Sequence, residues 1–476
     1  MRFRVKNLGV LRQAEFSLGD LTILCGGNNT GKTYATYALF GFLTFWRQVM
    51  SLDVPDDKIQ QLLNDGATRL SLVDFIKLSE SILAKACKVY AQQLPMIFAA
   101  SAELYKESAF DVIAESNEIR PVENFERRMT TAKSDLFMLT KKENSDELVV
   151  TLLVEKNQNQ IPNDSIKYVI ADAIKEIIWG SLFPRPFMAS TERTGAVVFR
   201  NELDFSRNRI LAEMAHNLVR NQQWGNPFVN PYGRVGAYIV NDLQNAGTQK
   251  YALPVQMNVE FIHQLETTAR NNSFLVDNYP DVLENFSDIV SGTYMITSNN
   301  ELYFVPKGTN VRLTMGESSS AVRSLLDLSF YLQHVAQRGD LLMVDEPELN
   351  LHPENQCRIA RLFARLVNLG IKVFVTTHSD YIIKELDTLI MLHQDLPHLR
   401  HIAQREGYHP TELLVADKIK VYMTDKVLLE PGQPATICTT LTPAEIRQDR
   451  GIAARSFDTT IDDMNVMQQE IVWGGE

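Results

Sequence analysis

Residues 21–33 read Leu-Thr-Ile-Leu-Cys-Gly-Gly-Asn-Asn-Thr-Gly-Lys-Thr. Leu21–Cys25 is a short apolar run of strand type, and Tyr34–Phe45 continues as an apolar stretch compatible with a helix. Between them, Gly26, Gly31, Lys32 and Thr33 fit the spacing G-x-x-x-x-G-K-[ST]. Each residue type answers a need of phosphate binding. The glycines let backbone N–H groups along Asn28, Asn29 and Thr30 curl around an anion, and the helix that follows presents its positive end. Lys32 can reach the β- and γ-phosphates, and the Thr33 hydroxyl can hold Mg²⁺. A chance glycine-rich turn would lack the flanking strand and helix, so the stretch is read as a nucleoside-triphosphate site.

The rest of the chain is long enough to carry more than this loop. At 476 residues it exceeds one typical core, which predicts a main domain with an inserted or appended lobe. Hydrophobic residues make up 45% and charged residues 22%, the balance of a soluble globular protein. A formal net charge of −11 argues against broad, non-specific nucleic-acid binding and leaves only a local basic groove as a route to it. Cys25, Cys87, Cys357 and Cys438 lie far apart without a C-x-x-C pair, which predicts free thiols in a reducing compartment. The opening Met-Arg-Phe-Arg-Val-Lys alternates like a strand and does not resemble a signal peptide. No stretch reaches the roughly 18 apolar residues of a membrane span. The expected setting is the cytoplasm, with no membrane partner.

Upstream of the loop, Phe3 and Val5 alternate with Arg2, Arg4 and Lys6, followed by Ala14, Phe16 and Leu18, which predicts antiparallel strands. Residues 51–118 are mostly helical in pattern, with Leu72–Leu94 carrying apolar residues at three- and four-residue spacing until Pro95 interrupts. Leu136–Leu139 and Leu148–Val154, joined by the polar turn Lys141–Asp146, read as a hairpin, and Ser165–Trp179 as a helix. Residues 51–186 are thus expected to form an inserted, largely helical lobe without coiled-coil arms, splitting a head made of 1–50 and 187–390. Phe187 returns to strand character and runs into Ser190–Gly195, and Gly292–Pro306 reads as two strands turning at Asn299-Asn300. From 313 the pattern alternates: a helix entered through a Gly/Ser-rich turn, strand Leu341–Val344, helix Glu354–Val367, strand Ile371–Thr376, and a helix from Asp380. Such alternation implies an α/β fold, a mostly parallel sheet flanked by helices. Residues 391–476 read as a mixed α/β tail with strand-like Lys418–Tyr422 and a helix near Ile461–Ile471.

Three further stretches carry chemistry. Leu342-Met343-Val344-Asp345-Glu346-Pro347-Glu348 is an apolar strand delivering Asp345 to the edge where Thr33 holds magnesium, with Glu346 next to it to polarise a water. Val373–Ser379 is another strand with polar residues at its end, where His378 can sense a γ-phosphate. Leu313-Thr314-Met315-Gly316-Glu317-Ser318-Ser319-Ser320 precedes a helix and reads equally as an anion nest or a plain N-cap.

In this order, the phosphate loop, a long interruption, L-[ST]-x-G-E, a strand ending D-E-P-E-L-N-L-H-P, and T-T-H-S resemble the ABC-type ATPases. Within that class they are similar to the branch that contains the OLD, RecF and SMC proteins, and Leu351-His352-Pro353 points to its OLD-like members. The resemblance covers about residues 1–50 and 290–390. It implies ATP and Mg²⁺ as ligands and a homodimer, or higher homo-oligomer, with ATP between two heads. Glu346 and His378 would then be catalytic, Thr33 and Asp345 would hold the metal, and Gly26, Asn28, Asn29, Thr30, Gly31, Lys32 and Thr33 would hold the nucleotide. Thr314, Gly316 and Glu317 would reach it from the other head. The chain departs from the pattern at Met315, which replaces a small residue, and at His352, which stands where transporter heads carry an aspartate. The glutamine of the Q-loop is not identifiable.

Ser190-Thr191-Glu192-Arg193-Thr194-Gly195 resembles a strand-end motif of stand-alone ATPases in bacterial anti-phage systems, the Septu, retron-associated and PARIS ATPases. Arg193 is set between a phosphate or partner-head contact and a surface ion pair, the latter slightly favoured. OLD proteins carry a Toprim nuclease after the head, and Asp462-Asp463 is adjacent where that nuclease needs an alternating pair. His393, His398, His401 and His409 read as exposed loop residues. Arg193, Arg200, Arg207, Arg209 and Arg220 are diluted by nearby acids into a mixed-charge face. The leading expectation is an ATPase subunit whose ATP-dependent dimerisation controls a separate effector, a nuclease, in anti-phage defence. Two alternatives stay open: an ATP-locked scaffold that sequesters a toxic nuclease partner, and a RecF-like DNA-repair ATPase.

Overall fold

The computed structural model describes residues 1–115, 117–130, 135–153, 162–200, 251–297, 301–428, 437–453 and 466–469. The alternating N-terminus forms a hairpin of strands β1 (Arg2–Leu8) and β2 (Leu11–Ser17), with Phe3, Val5, Leu11 and Phe16 turned inward and Arg4 paired with Glu15 outside. β3 (Leu21–Cys25) leads to the glycine loop. β4 (Ala67–Ser71), β5 (Ala109–Ile113), β6 (Phe125–Thr130), β7 (Asp135–Lys141) and β8 (Glu147–Leu152) come from the inserted segment. β9 (Pro186–Ala189), β10 (Gly292–Ile296), β11 (Leu302–Pro306), β12 (Leu313–Thr314), β13 (Leu341–Asp345), β14 (Lys372–Thr377), β15 (Ile419–Leu428) and β16 (Ile437–Pro443) follow.

Nine strands make one mixed sheet in the order β5-β1-β2-β16-β15-β3-β14-β13-β9. The run β15-β3-β14-β13-β9 is parallel throughout, and every residue of β3 and β13 is buried, as a strand covered on both faces requires. The two-residue period divides these strands between two cores. Leu24, Leu341, Met343 and Phe374 face the helix Lys32–Val49, while Leu21, Ile23, Leu342, Val344, Val373 and Val375 face the side of the helices Pro353–Asn368 and Asp380–Leu392. Lys32–Val49 is buried nearly all round because the inserted segment covers its outer side. There Phe42 packs against Tyr90, Phe110 and Phe183.

Two expectations need amendment. The segment 51–186 carries the expected helical region but is not helix alone. Beside the helices Asp56–Asp65, Ser79–Ala91 and Asn163–Trp179 it holds a four-stranded antiparallel sheet, β4-β8-β7-β6. The foreseen hairpin is its centre, β7 and β8, but the edge strands Ala67–Ser71 and Phe125–Thr130 are short, half-exposed and charged, and carry little apolar signal. The helix expected over Leu72–Leu94 breaks at Leu78 and ends at Ala91, ahead of Pro95. The described part of residues 391–476 holds both helix and strand, and its strands β15 and β16 occupy the middle of the main sheet, where β15 pairs directly with the loop strand β3. Likewise β5 leaves the inserted segment and pairs with β1. Pairings this distant in sequence leave no local pattern. The turn at Asn299-Asn300, most of the helix near Ile461–Ile471, Asp462-Asp463, Arg207, Arg209 and Arg220 lie outside the described residues. Among those described, no helix is long and apolar enough to cross a membrane.

Candidate functional site

Parallel register sets the site. Asp345 lies opposite Thr376, and Thr377 opposite Cys25, so Gly26, Glu346 and His378 follow directly from the carboxyl ends of three neighbouring strands. That edge is where open α/β sheets bind ligands.

The loop's geometry depends on its glycines. Gly26 has φ 140° and Gly31 φ 99°, and Asn29 is also left-handed at 58°. A Cβ on Gly26 would sit 1.9 Å from Thr424 Oγ1, and one on Gly31 2.7 Å from Leu11 Cγ, so neither position accepts a side chain. The side chain of Gly31's successor, Lys32, folds back: its Nζ donates to the carbonyls of Gly26 and Gly27, each at 2.8 Å. Burial pulls the Lys32 pKa down, against the pull of Glu346, Asp345 and Glu348. No side chain caps the helix Lys32–Val49, so its first N–H groups keep their capacity for an anion. Asn28, Asn29 and Thr33 are exposed, and Thr30 Oγ1 closes the loop on the Gly27 carbonyl at 2.8 Å.

Across the edge, Asp345 is 1% exposed. Its Oδ1 accepts from the Thr376 hydroxyl, while Oδ2 is buried with no hydrogen-bond partner. Burial first, then the neighbouring Glu346, push its carboxyl up to about 6. An orphaned carboxylate oxygen in this position fits a hard divalent cation, with Thr33 as the other protein oxygen. Glu346 sits in the left-handed region at φ 49°, its N–H donating to Thr376 O at 3.1 Å and Oγ1 at 3.2 Å. Its Oε1 lies 3.8 Å from His378 Nδ1. The loop, Asp345, Glu346 and His378 therefore come together in one chain.

Thr314, Gly316 and Glu317 do not join them. Thr314 N–H and Oγ1–H both donate to Glu317 Oε2 at 2.9 Å, closing an exposed turn, and Arg323 donates to the carbonyls of Met315 and Ser318 behind it. No hydrogen bond or ion pair links this turn to the loop, Asp345, Glu346 or His378 among the described residues. Met315 explains its own departure from the pattern, because its side chain is buried in the core. His352 is the N-cap of Pro353–Asn368, its Nδ1 accepting from Glu354 N–H at 3.4 Å. His409 likewise caps a short 3₁₀ turn with Glu412.

Two residues gain roles that were not foreseen. Arg193 is 2% exposed and is no surface ion pair. Its guanidinium donates to four backbone carbonyls: Ser324 at 2.8 Å, Ser190 at 2.7 Å, Asp345 at 2.8 Å and Glu346 at 3.0 Å. It thus holds the strained turn after β13 by its carbonyls, as Thr376 holds it by its N–H. Burial lowers the Arg193 pKa, opposed by Asp327, Asp345, Glu348 and Glu346. Glu348, also buried, grips the last residue of β14 and the one after it. Nearby, Tyr37 on the loop helix donates to Glu192 at 3.2 Å, so the Ser190–Gly195 motif touches the site from a second side.

Asp327 adds a measurable consequence. It is fully buried, neither oxygen has a hydrogen-bond partner, and burial, eased by Arg193, pushes its carboxyl up to about 7. An unfolded carboxyl titrates near 3.8. Between those values the folded chain binds the extra proton, so this group's contribution to stability falls as pH rises through the window and levels off above it. Asp327→Asn removes that slope. Its unfolding midpoint, relative to wild type, is expected to rise between pH 5 and pH 8. A difference that stays constant across the two pH values would count against the assignment.

A family model described as an AAA ATPase domain matches residues 253–383, less than half of the chain. The matched stretch contains Thr314, Asp345, Glu346, Glu348 and His378 but not the glycine loop. No curated protein matches the chain. Among solved structures it is similar to the SMC head domain from Thermotoga maritima, at 11% identity over 94% of this chain and 98% of that chain, with a TM-score of 0.28. It is also similar to an Smc head domain with an extended coiled coil bound to the C-terminal domain of ScpA, derived from Pyrococcus furiosus. That likeness is at 11% identity over 98% of both chains, with a TM-score of 0.29.

Proposed function

We propose that the chain is an ABC-type ATPase that binds Mg²⁺-ATP at Gly26–Thr33 and hydrolyses it as a homodimer. The observation that carries the reading is the split site. Loop, Asp345, Glu346 and His378 converge at one sheet edge, while Thr314, Gly316 and Glu317 are exposed and, among the described residues, make no hydrogen bond or ion pair with them. A loop in one place and an L-[ST]-x-G-E turn facing solvent in another support completion of the site by a second copy.

In this reading the helix Lys32–Val49 and the loop N–H groups hold the phosphates, and Lys32 exchanges its two loop carbonyls for phosphate oxygens. Thr33 and Asp345 Oδ2 would hold the metal, which neutralises charge between the β- and γ-phosphates when bound. Glu346 orients and deprotonates the attacking water, and His378 contacts the γ-phosphate. From the motif resemblance we further infer that ATP-driven closure controls a separate effector, a nuclease in bacterial anti-phage defence. The Ser190–Gly195 motif and the strand ending D-E-P-E-L-N-L-H-P support that part.

Light scattering with and without Mg²⁺-ATP tests the dimer: an ATP-dependent doubling of mass is expected. Lys32→Ala should weaken ATP binding by about 1.5–3 kcal/mol, roughly 10–150-fold in Kd, and abolish the doubling. A chain that binds ATP normally without Lys32, or stays monomeric with ATP bound, would overturn the reading. Stoichiometric ATP retained in an oligomer without turnover would favour the scaffold instead.

A further inference from the structure

Glu348 is the acid beyond the Asp345-Glu346 pair, and the mechanism above leaves it without a task. Its side chain is 6% exposed. One of its oxygens, Oε1, accepts from the Thr377 hydroxyl at 2.8 Å and from the His378 backbone N–H at 2.8 Å, and lies 3.2 Å from His378 Nδ1. Two donors and an imidazole nitrogen, from two consecutive residues of another strand's end, gather at this one atom. The next residue, Ser379, caps the helix Asp380–Leu392 and donates to Gln356 at 2.6 Å.

We propose that Glu348 is a positioning residue for ATP hydrolysis: its carboxylate takes the Nδ1–H of His378 and so turns Nε2 toward the γ-phosphate. The inference rests on the ATPase reading of the site and adds to it. A neutral imidazole with its proton on Nδ1 has no proton on Nε2 and cannot donate to a phosphate oxygen. A carboxylate 3.2 Å from Nδ1 fixes which edge of the ring faces the phosphate side. No bond to carbon or phosphorus changes in this step. The other charges around the ring are Glu346, whose Oε1 is 3.8 Å from Nδ1, and Asp345 and Lys32 at the same sheet edge. Glu348 is distinguished from Glu346 by its burial and by its grip on the His378 main chain. That grip holds the ring in place before nucleotide arrives.

Glu348→Gln tests this, because the amide oxygen keeps an acceptor for Thr377 and the backbone N–H while removing the charge. Expected is a fall of about 10–100-fold in kcat with little change in KM for ATP. Thermal unfolding of the variant checks that it is folded. In a His378→Ala background the same substitution should cost nothing more, since Glu348 acts through the ring. An additive loss in the double variant, or wild-type kcat in Glu348→Gln, would overturn the proposal while leaving the ATPase reading intact. A wild-type chain that does not hydrolyse ATP would overturn both. Glu348→Asp, which shortens the side chain but keeps the charge, should restore part of kcat, and a kcat no closer to wild type than that of Gln would count against the charge argument.

Discussion

Glu346→Gln is expected to slow steady-state ATP hydrolysis by about 10²–10⁴-fold while ATP affinity stays at the wild-type level. A positioned general base lowers the barrier by about 3–5 kcal/mol on this scale, and an amide cannot take the proton. The backbone around Glu346 makes the comparison clean. Its left-handed φ of 49° is held by Thr376 on the N–H and by Arg193 on the carbonyl, and none of these contacts uses the side chain. The substitution therefore changes the reacting group and little else. Equilibrium ATP binding and single-turnover hydrolysis measured on the same preparation separate the two effects. Hydrolysis at the wild-type rate would end the assignment, and loss of ATP binding would mean that Glu346 is a ligand and not a base. Since closure would then outlast chemistry, the variant should also retain ATP in the dimer.

Arg193→Met is expected to lower the unfolding free energy by about 3–5 kcal/mol. Methionine approximates the volume of the aliphatic stem but supplies no donors, so the carbonyls of Ser190, Ser324, Asp345 and Glu346 lose a partner in a buried place. It also leaves Asp327 buried without the positive charge beside it. Arg193→Lys should recover only part of the loss, because an ammonium on a flexible stem cannot span acceptors arranged for a planar fork. Denaturant titration of the three proteins reads this directly. A change under about 1 kcal/mol in Arg193→Met, within the range of an exposed substitution, would show that the guanidinium does not hold these elements together. Because Arg193 joins the helix after Thr314–Glu317 to the turn that carries Glu346, the Lys variant should lose hydrolysis beyond its loss of stability.

Much of this architecture was readable along the chain. The β3–loop–helix unit is local: five apolar residues, a glycine pair that tolerates positive φ, and a helix with an open N-terminus are neighbours in sequence and stay neighbours in space. The strands ending at Asp345 and Thr377 announced themselves as uninterrupted apolar runs, as strands buried on both faces do. The inserted segment was harder. Its edge strand Phe125–Thr130 contains Glu126, Arg127 and Arg128, and a charged, half-exposed strand resembles a loop until a partner is known. Arg193 was misjudged for a related reason. An arginine beside a glutamate in a turn is usually a surface pair, and only the acceptors supplied by residues far along the chain reveal a buried one.

By itself, the sequence determined which residues are present and in what order: a G-x-x-x-x-G-K-T loop, an aspartate and a glutamate at the end of one apolar strand, and a histidine at the end of the next. These depend on spacing over a dozen residues, which covalent geometry carries intact into the fold. Tertiary structure alone decided what surrounds them. It placed β15 and β16 from the tail beside the loop strand, drove Arg193 into the carbonyls behind Glu346, and set Glu348 against His378. Each of these rests on the register of strands 30 to 400 residues apart, and register is set by the packing of whole faces against the two cores and not by any residue's neighbours in the chain.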